Sequence, residues 1–252
     1  MSSLWHPHPK EAPMTGLTGL WGGVGGNLVS TAPYVDGPYV TSGCLIRWDF
    51  GLGGTYQSSQ STIQDISGFD RDGTINGHQS ARYSSDDYGY YALPGSASHY
   101  INVSGVTGPT SNFSLEFWVK PNGINETGLM DTAPNQEYTV RMAGNGTVEW
   151  WSQNPVDDTN RWTQTGNSWT HLIYTFHRNS PRGFTVYKNG SAVGTFTGHN
   201  NQAGVWNNYC IGVYNYGAAF GGNIACASVY NDQLSSSEVQ TNWQALKGRF
   251  GL

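Results

Sequence analysis

The 252-residue chain has a hydrophobic fraction of 37%, which is enough to bury one substantial core. Only 12% of its residues are charged and the formal net charge is −5, so a basic surface for nucleic acid is not expected. The sequence has no run approaching the roughly 18 consecutive apolar residues of a membrane span, and residues 1–9 lack the apolar segment of a signal peptide, so we expect synthesis in a cytoplasm and no membrane partner.

The first 41 residues are rich in glycine and proline and show neither helical nor alternating periodicity. Glycine at this density costs backbone entropy that a small internal core does not offset, which predicts an extended arm. The arm also carries apolar side chains that we expect to be buried on another protein: Leu17, Leu20, Trp21, Val24 and Leu28. Residues 1–41 are therefore interpreted as an anchoring arm, and residues 42–252 as one domain.

From Cys44 onward, short runs of β-branched and aromatic residues alternate with Gly, Asn, Asp and Pro, a pattern typical of an all-β sandwich. The clearest run is 113–120, in which Leu115, Phe117 and Val119 alternate with more polar residues. This alternation predicts a strand with one buried face. Residues 169–176 form a second run of the same kind.

Two hairpins are predicted from their turn residues. Asn189 and Gly190 separate runs 184–188 and 191–196, and this dipeptide favours a type I′ turn. Asn145 and Gly146 similarly predict that 138–142 pairs with 147–151.

One short C-terminal helix is predicted from a capping box formed by Ser235 and Glu238. Val239, Trp243 and Leu246 supply its apolar stripe, and Gly248 is expected to end it. The remaining sequence leaves no room for a second domain.

Four stretches of the chain occur in a familiar order. They are Gln-Asp-Ile-Ser-Gly at 64–68 followed by Gly-Thr-Ile at 73–75, then 113–119, then 184–190, and finally 229–231 leading into 234–239. With these stretches the chain resembles the laminin-G-like branch of the concanavalin A-like lectin/glucanase superfamily, in the form found in virion proteins of tailed phages such as cyanophages. The ending, 242–252, is similar to the tails of those phage proteins.

The resemblance implies a two-sheet antiparallel jelly roll in which a first strand near 45–50 lies beside a last strand near 223–230. It also implies a virion location, with synthesis in the host cytoplasm. It does not extend to residues 1–41, and it does not fix chemistry, because this sandwich carries hydrolases, lectins and architectural modules alike.

Glycoside hydrolysis requires two carboxylates facing one glycosidic bond. Glucanases of the superfamily supply them as Glu-x-Asp-x-x-Glu, and the sequence has no such string around Glu116 or Glu149. No catalytic residue is therefore assigned, and hydrolysis remains a remote alternative.

Calcium is the one cofactor that the sequence leaves open, since Asp65, Asp70 and Asp72 offer hard oxygen ligands in a glycine-containing loop. Related sequences often carry an acidic residue where this chain has Ala225. The favoured alternative is that these aspartates brace turns through local hydrogen bonds to the backbone. Cys44, Cys210 and Cys226 form no CxxC pair and are expected to be reduced and buried.

Aromatic residues are the best candidates for recognition, because sugars stack their C–H faces on Trp and Tyr and bond their hydroxyls to amides and carboxylates. Trp118, Trp169 and Trp243 are expected in the core. Trp150 and Trp151 point to opposite faces if the chain is extended, so at most one of them is core. The glycan-binding candidates are Trp151, Trp162, Trp206, Tyr214, Tyr216, Asn154 and Asn207.

Two functions follow from this interpretation. The first is a non-catalytic virion surface protein, a capsid decoration, fibre or tail appendage, that is anchored to other virion proteins through residues 1–41. The second is a carbohydrate-binding adhesin for host surface polysaccharide. A homo-oligomer suits both functions, and the sequence does not count subunits.

Overall fold

The computed structural model describes residues 37–252 apart from 53, 110, 124–126, 132–137, 143–146, 153–161, 164–165, 179–182, 198–207 and 215–217. For the strand residues 127, 138–139, 141–142, 147–152, 162–163, 214 and 218, the description is limited to the backbone.

The described residues form eighteen strands and one α-helix. The strands are β1 (Cys44–Asp49), β2 (Thr62–Ile63), β3 (Gly73–Asn76), β4 (Tyr83–Ser84), β5 (Tyr90–Pro94), β6 (Tyr100–Ser104), β7 (Phe113–Pro121), β8 (Thr127–Asp131), β9 (Tyr138–Met142), β10 (Thr147–Ser152), β11 (Trp162–Thr163), β12 (Thr170–His177), β13 (Gly183–Lys188), β14 (Ser191–Thr197), β15 (Asn208–Ile211), β16 (Val213–Tyr214), β17 (Ala218–Ala219) and β18 (Gly221–Tyr230). The helix is α1 (Ser236–Leu246), and short 3-10 turns lie at Ser80–Arg82, Asp86–Tyr88 and Lys247–Phe250.

Two antiparallel sheets make up the sandwich. The first sheet has the order β14-β13-β12-β7-β18-β5-β4, with β1 also paired to β18, and the second has the order β11-β10-β9-β8-β15-β6-β3-β2. Strands β16 and β17 form a separate two-stranded ribbon. β1 lies beside β18, with Trp48 opposite Ala227, so the jelly-roll topology with neighbouring first and last strands is confirmed.

The main core combines apolar residues from both sheets. Its aromatic members stack in pairs, such as Phe113 on Phe176 with ring centroids 4.2 Å apart and Phe50 on Tyr91 at 5.6 Å. Such pairs add to the stabilisation that burial of apolar area provides.

The alternation along β7 does not mark a solvent face, although Trp118 lies in the core as expected. Ser114, Glu116 and Trp118, which alternate with the core residues, are all 0% exposed. The reason is that α1 covers this second face, where the Trp118 ring stacks on the Trp243 ring at 5.4 Å. A central strand that is covered on both sides has no solvent-exposed face, so its polar residues are buried as well as its apolar ones.

Both predicted hairpins are present as paired strands. Asn189 (φ 50°) and Gly190 (φ 78°) are left-handed, as a type I′ turn requires, and β13 pairs with β14 around them. Strand β9 pairs with β10 as expected, and their connection lies outside the described residues.

The capping box at the start of α1 is confirmed, since the Ser235 side chain accepts from the Glu238 backbone and the Glu238 side chain accepts from Ser235. The α-helix ends at Leu246 with Lys247 as its C-cap, immediately before Gly248, as expected. The chain continues in a 3-10 turn through Phe250, and the left-handed residue that ends it is Gly251 (φ 68°). Within the described part of the chain, no helix combines the length and apolar character needed to cross a membrane.

Described residues before residue 41 contact the domain. The chain divides into the units Met1–Ala32 and Pro33–Leu252. Residues 37–40 pack on the domain, because the Gly37 N–H donates to the Ala245 carbonyl and the Val40 N–H donates to Asn242 Oδ1 at 2.9 Å. The five apolar residues of the predicted arm lie outside the described residues.

Candidate functional site

Few of the predicted glycan-binding residues lie in described elements. Trp151 is in β10, Trp162 in β11 and Tyr214 in β16, with only their backbones described. The other candidates lie outside the described residues: Trp206, Tyr216, Asn154 and Asn207.

Strand register places Trp150 and Trp151 in different rows across the second sheet. The row through Trp150 continues through Val140, Met130, Ile211 and Ile101. These four partners are at most 1% exposed and belong to the main core. The backbone position of Trp150 therefore falls in a row directed at the core.

The second row, here called the Trp151 row, runs across the opposite side of the same strands. Its members in register are Trp151, Thr139, Asp131, Cys210, Asn102 and Thr74. Thr74 is exposed and Asn102 half-buried, and Asn102 Oδ1 accepts from Asn76 Nδ2 at 2.6 Å. Asp131 (0% exposed) and Cys210 (3% exposed), in the middle of the row, are buried. Among its described side chains, the Trp151 row is therefore open to solvent at Asn102 and Thr74.

The three cysteines are free and buried, as predicted. Burial, with a contribution from Asp131, raises the pKa of the Cys210 thiol to about 12. Burial also raises the pKa of Cys44 to about 12. Thiols held neutral in this way are poor nucleophiles and poor metal ligands.

The aspartate loop proposed as a calcium site is organised by internal hydrogen bonds. Asp65 accepts from the backbone N–H groups of Arg47 (2.9 Å), Ser67 (3.0 Å) and Arg71 (3.0 Å), and Asp72 accepts from the Asp65 N–H at 2.8 Å. Such bonds brace turns.

The structure does not bring Asp65, Asp70 and Asp72 together as ligands. Among the residues described, no group of three or more His, Cys, Asp or Glu side chains is placed to hold a metal ion. The physical reason is that both carboxylate oxygens of Asp65 already accept hydrogen bonds within the loop. Oδ2 accepts from the Arg71 N–H and also from the Ser67 hydroxyl at 2.7 Å.

A buried polar group, which we call the Glu116 cluster, lies beneath α1 and consists of Tyr39, Glu116, His171, Tyr230 and Asn242. Glu116 Oε1 lies 2.7 Å from His171 Nε2, and Oε2 accepts from the hydroxyls of Tyr39 and Tyr230 and from Asn242 Nδ2. Glu116, His171, Tyr230 and Asn242 are all 0% exposed.

The surroundings of the Glu116 cluster are closed by aromatic and cationic groups. His171 stacks on Trp118 at 4.6 Å, and the Arg47 guanidinium lies 3.5 Å over the Tyr39 ring. Burial, followed by the charge of Glu116, raises the pKa values of Tyr39 and Tyr230 well above their usual range. Because the carboxyl group is sealed from solvent and faces four donors, its arrangement is that of a structural brace and not of an acid aimed at a glycosidic bond.

A second buried charge, Asp49, meets the C-terminal segment. Arg249 Nη1 donates to Asp49 Oδ1 at 2.7 Å, while its Nε and Nη2 donate to the carbonyls of Asp87 (3.0 Å) and Gly89 (2.6 Å). Burial alone would raise the pKa of Asp49, but the Arg249 and Arg47 cations lower it below its usual value. Sequence reasoning missed both buried groups. The one available signal was an acid within an otherwise apolar strand run.

The fold is shared with binding domains of known structure. Domain 4 of AbnA, a GH43 extracellular arabinanase from Geobacillus stearothermophilus, in complex with arabinotriose, is similar over 80% of this chain and 98% of that domain, with 20% identity and a TM-score of 0.60. The botulinum neurotoxin type G receptor binding domain (16% identity, TM-score 0.61) is similar over 80% of this chain and 51% of its own length. The botulinum neurotoxin serotype D ligand binding domain in complex with N-acetylneuraminic acid (14% identity, TM-score 0.61) is similar over 81% of this chain and 51% of its own length.

These similarities, at 20% identity or less, concern the fold alone, and the chain spans about half the length of the neurotoxin domains. No sequence match was found among curated proteins. A laminin G-type family model, described as the concanavalin A-like lectin/glucanases superfamily, matches residues 94–240, which is more than half of the 252 residues. The chain therefore belongs to the concanavalin A-like lectin/glucanase superfamily.

Proposed function

We propose that this protein is a non-catalytic carbohydrate-binding domain that recognises surface polysaccharide. The observation that carries the proposal is the correspondence with nearly the whole of an arabinanase domain that was captured with arabinotriose. The neurotoxin domain captured with N-acetylneuraminic acid supports the same class of ligand.

The Trp151 row is the proposed binding face. A saccharide needs an aromatic surface for its C–H face and polar groups for its hydroxyls, and the row combines a tryptophan with Asn102 and Thr74. Trp206, Asn154 and Asn207 are proposed to complete the site from loops. The outer face of the first sheet is a poorer choice, since α1 covers it and residues such as Trp118 and His171 are fully buried there.

The absence of catalysis is part of the proposal. Retaining and inverting glycosidases both use a pair of carboxylic acids across the scissile bond. In the described part of the chain, three carboxylates are fully buried, those of Asp49, Glu116 and Asp131. Glu116 and Asp49 are each engaged by internal donors. A bound oligosaccharide is therefore expected to be recovered intact.

Glycan binding is expected to depend on tryptophan. Trp151→Ala and Trp206→Ala should each weaken binding of the full chain to its glycan by about ten-fold or more, because the stacking surface is lost. Binding is measured on an array of bacterial surface polysaccharides that also carries arabinotriose and N-acetylneuraminic acid. Phe69→Ala is the control, since Phe69 is an aromatic residue 55% exposed in the loop before β3. An array without any signal above background for the unaltered chain would overturn the proposal.

A virion location is the second part of the proposal, supported by the resemblance of residues 242–252 to the tails of phage virion proteins. The part of the predicted arm that precedes Gly37 is proposed to anchor the domain to other capsid or tail proteins, so that many copies display it together. Many weak sites on one particle would bind a polysaccharide with high avidity.

Anchoring is tested by deleting residues 1–30. The shortened chain is expected to fold, because the described contacts of the domain begin at Gly37, and to be lost from purified particles. Occupancy is measured by quantitative mass spectrometry of the particles, with the Phe69→Ala chain as a full-length control. Normal occupancy of the shortened chain would contradict the anchoring role.

A further inference from the structure

Tyr88 has a backbone conformation that is unusual for its residue type. Its φ is 60°, in the left-handed region, and it follows Asp87 (φ 49°) and precedes Gly89 (φ 111°). Every other described residue with positive φ is glycine, asparagine or aspartate. Asn and Asp tolerate this region because their short side chains bond locally, whereas a bulky aromatic residue is a genuine outlier.

The strain at Tyr88 is not offset by full burial. A left-handed conformation is unfavourable for an L-residue because its Cβ approaches the following carbonyl oxygen, and glycine would avoid most of this cost. Yet the chain, which has 34 glycines, places here an aromatic residue that is 49% exposed. Strained residues of this kind persist at ligand-binding sites, where the conformation itself is needed.

The turn that carries Tyr88, residues 85–89 and here called the Tyr88 turn, is held firmly from beneath. Arg249, 4% exposed, donates to the carbonyls of Asp87 and Gly89, and Trp169 Nε1 donates to Asp87 Oδ2 at 2.7 Å. Gly51 approaches so closely that a Cβ there would lie 1.9 Å from the Tyr88 carbonyl oxygen. Because the backbone of the turn is already held in place, little of its conformational entropy is lost when a ligand stacks on the Tyr88 ring.

The chemistry of the Tyr88 turn fits a saccharide better than an apolar partner. Ser85 and Asp86 belong to the same turn and are exposed like Tyr88, so a hydroxyl and a carboxylate lie within three residues of the aromatic ring along the chain. Sugar rings present this same combination of C–H face and hydroxyl donors.

We infer that Tyr88 and Asp86 form a second saccharide subsite, in which the Tyr88 ring stacks on a sugar and Asp86 accepts from its hydroxyls. This subsite rests on the proposed carbohydrate-binding function. It is distinct from the Trp151 row, because the Tyr88 turn connects β4 and β5 at one edge of the first sheet and Trp151 lies in the second. Arg249 and Trp169 are positioning residues for it.

The test uses the full chain with arabinotriose, N-acetylneuraminic acid and bacterial surface polysaccharides as probes. Tyr88→Asn is expected to melt at the same or a higher temperature, since Asn accepts a left-handed φ, and to bind the recognised probe about ten-fold more weakly. Tyr88→Phe, which keeps the ring, should stay within about three-fold of the unaltered chain. Tyr88→Gly repeats the test with a residue that has no strain at this φ, should the Asn variant fold poorly.

The outcomes separate the two proposals. Weaker binding by Tyr88→Asn with unchanged melting supports the subsite. If Trp151→Ala loses binding while Tyr88→Asn and Tyr88→Gly bind normally, the subsite is overturned and the carbohydrate-binding function stands. If the unaltered chain binds none of the probes, both are overturned.

Discussion

Replacing Glu116 by alanine is expected to lower the free energy of unfolding by about 3–5 kcal/mol, the range measured when one partner is removed from a buried ion pair or network. The carboxyl group accepts from Tyr39, Tyr230 and Asn242 and lies within hydrogen-bonding distance of His171. All members of the Glu116 cluster except Tyr39 are 0% exposed. Without Glu116, these polar groups face a cavity and lose their shared carboxylate acceptor, although Tyr230 keeps the Val40 carbonyl at 3.3 Å and Asn242 keeps the Tyr230 hydroxyl at 3.0 Å. Urea unfolding at neutral pH, followed by tryptophan fluorescence, measures the difference.

Two further variants separate hydrogen bonding from size. Glu116→Gln keeps the shape and one acceptor oxygen, so its loss should be clearly smaller than that of Glu116→Ala. Thr175→Val is the matched control on neighbouring β12, because Thr175 is also 0% exposed and its hydroxyl has no hydrogen-bond partner in the described structure. Its loss of a hydroxyl should be neutral or stabilising. Equal destabilisation by Glu116→Ala and Thr175→Val would show that the cluster does not brace the fold.

The architecture was predictable where local sequence decides it. Asn189 and Gly190 both adopt the positive φ values that a type I′ turn needs, and their hairpin follows from two residues alone. The capping box of Ser235 and Glu238 is likewise a matter of spacing. The pairing of β1 with β18 is different, since it joins residues about 180 positions apart and was expected only from the family resemblance.

The Glu116 cluster could not be predicted from the sequence. Its members lie on the segment before β1, on β7, β12 and β18, and on α1, and alternation along β7 suggested that Glu116 faces solvent. Whether a polar residue of a strand is exposed to solvent depends on which element covers that face of the sheet. Here the covering element is α1, a helix more than a hundred residues later in the chain. The Trp151 row similarly needs the order and register of β8, β9, β10 and β15.

The two sheets differ in what their outer faces offer. On the first sheet, Trp118 is covered by Trp243, His171 and Phe250, whose ring centroids lie within 6 Å of its own. This second core stabilises the domain and removes that face from recognition. We therefore propose ligand binding at the Trp151 row of the second sheet and at the Tyr88 turn at the edge of the first.

Replacing Arg249 by alanine is expected to cost about 3–5 kcal/mol at pH 7, because Asp49 is 0% exposed and would lose its closest cation. The carbonyls of Asp87 and Gly89 would lose their donors as well. The remaining cation, Arg47, lies 3.8 Å from Asp49. Chemical unfolding at pH 7 measures the loss, and a difference below about 1 kcal/mol, the size of an exposed ion pair, would contradict a buried one.

The pH dependence of the free energy of unfolding tests this prediction independently. In the unaltered chain the pKa of Asp49 is lowered from 3.8 in spite of burial, by the Arg249 and Arg47 cations, so Asp49 contributes stability above that pH and loses it as the pH falls through the folded value. Without Arg249, burial dominates and raises the pKa of Asp49, so the variant's deficit should be largest at neutral pH and should shrink on acidification. Asp49→Asn supplies the control: added to Arg249→Ala it removes the buried charge, and the double variant should be more stable at pH 7 than Arg249→Ala alone. A deficit that stays constant from neutral to acidic pH would mean that Arg249 acts through packing and its carbonyl bonds, and not through the charge of Asp49.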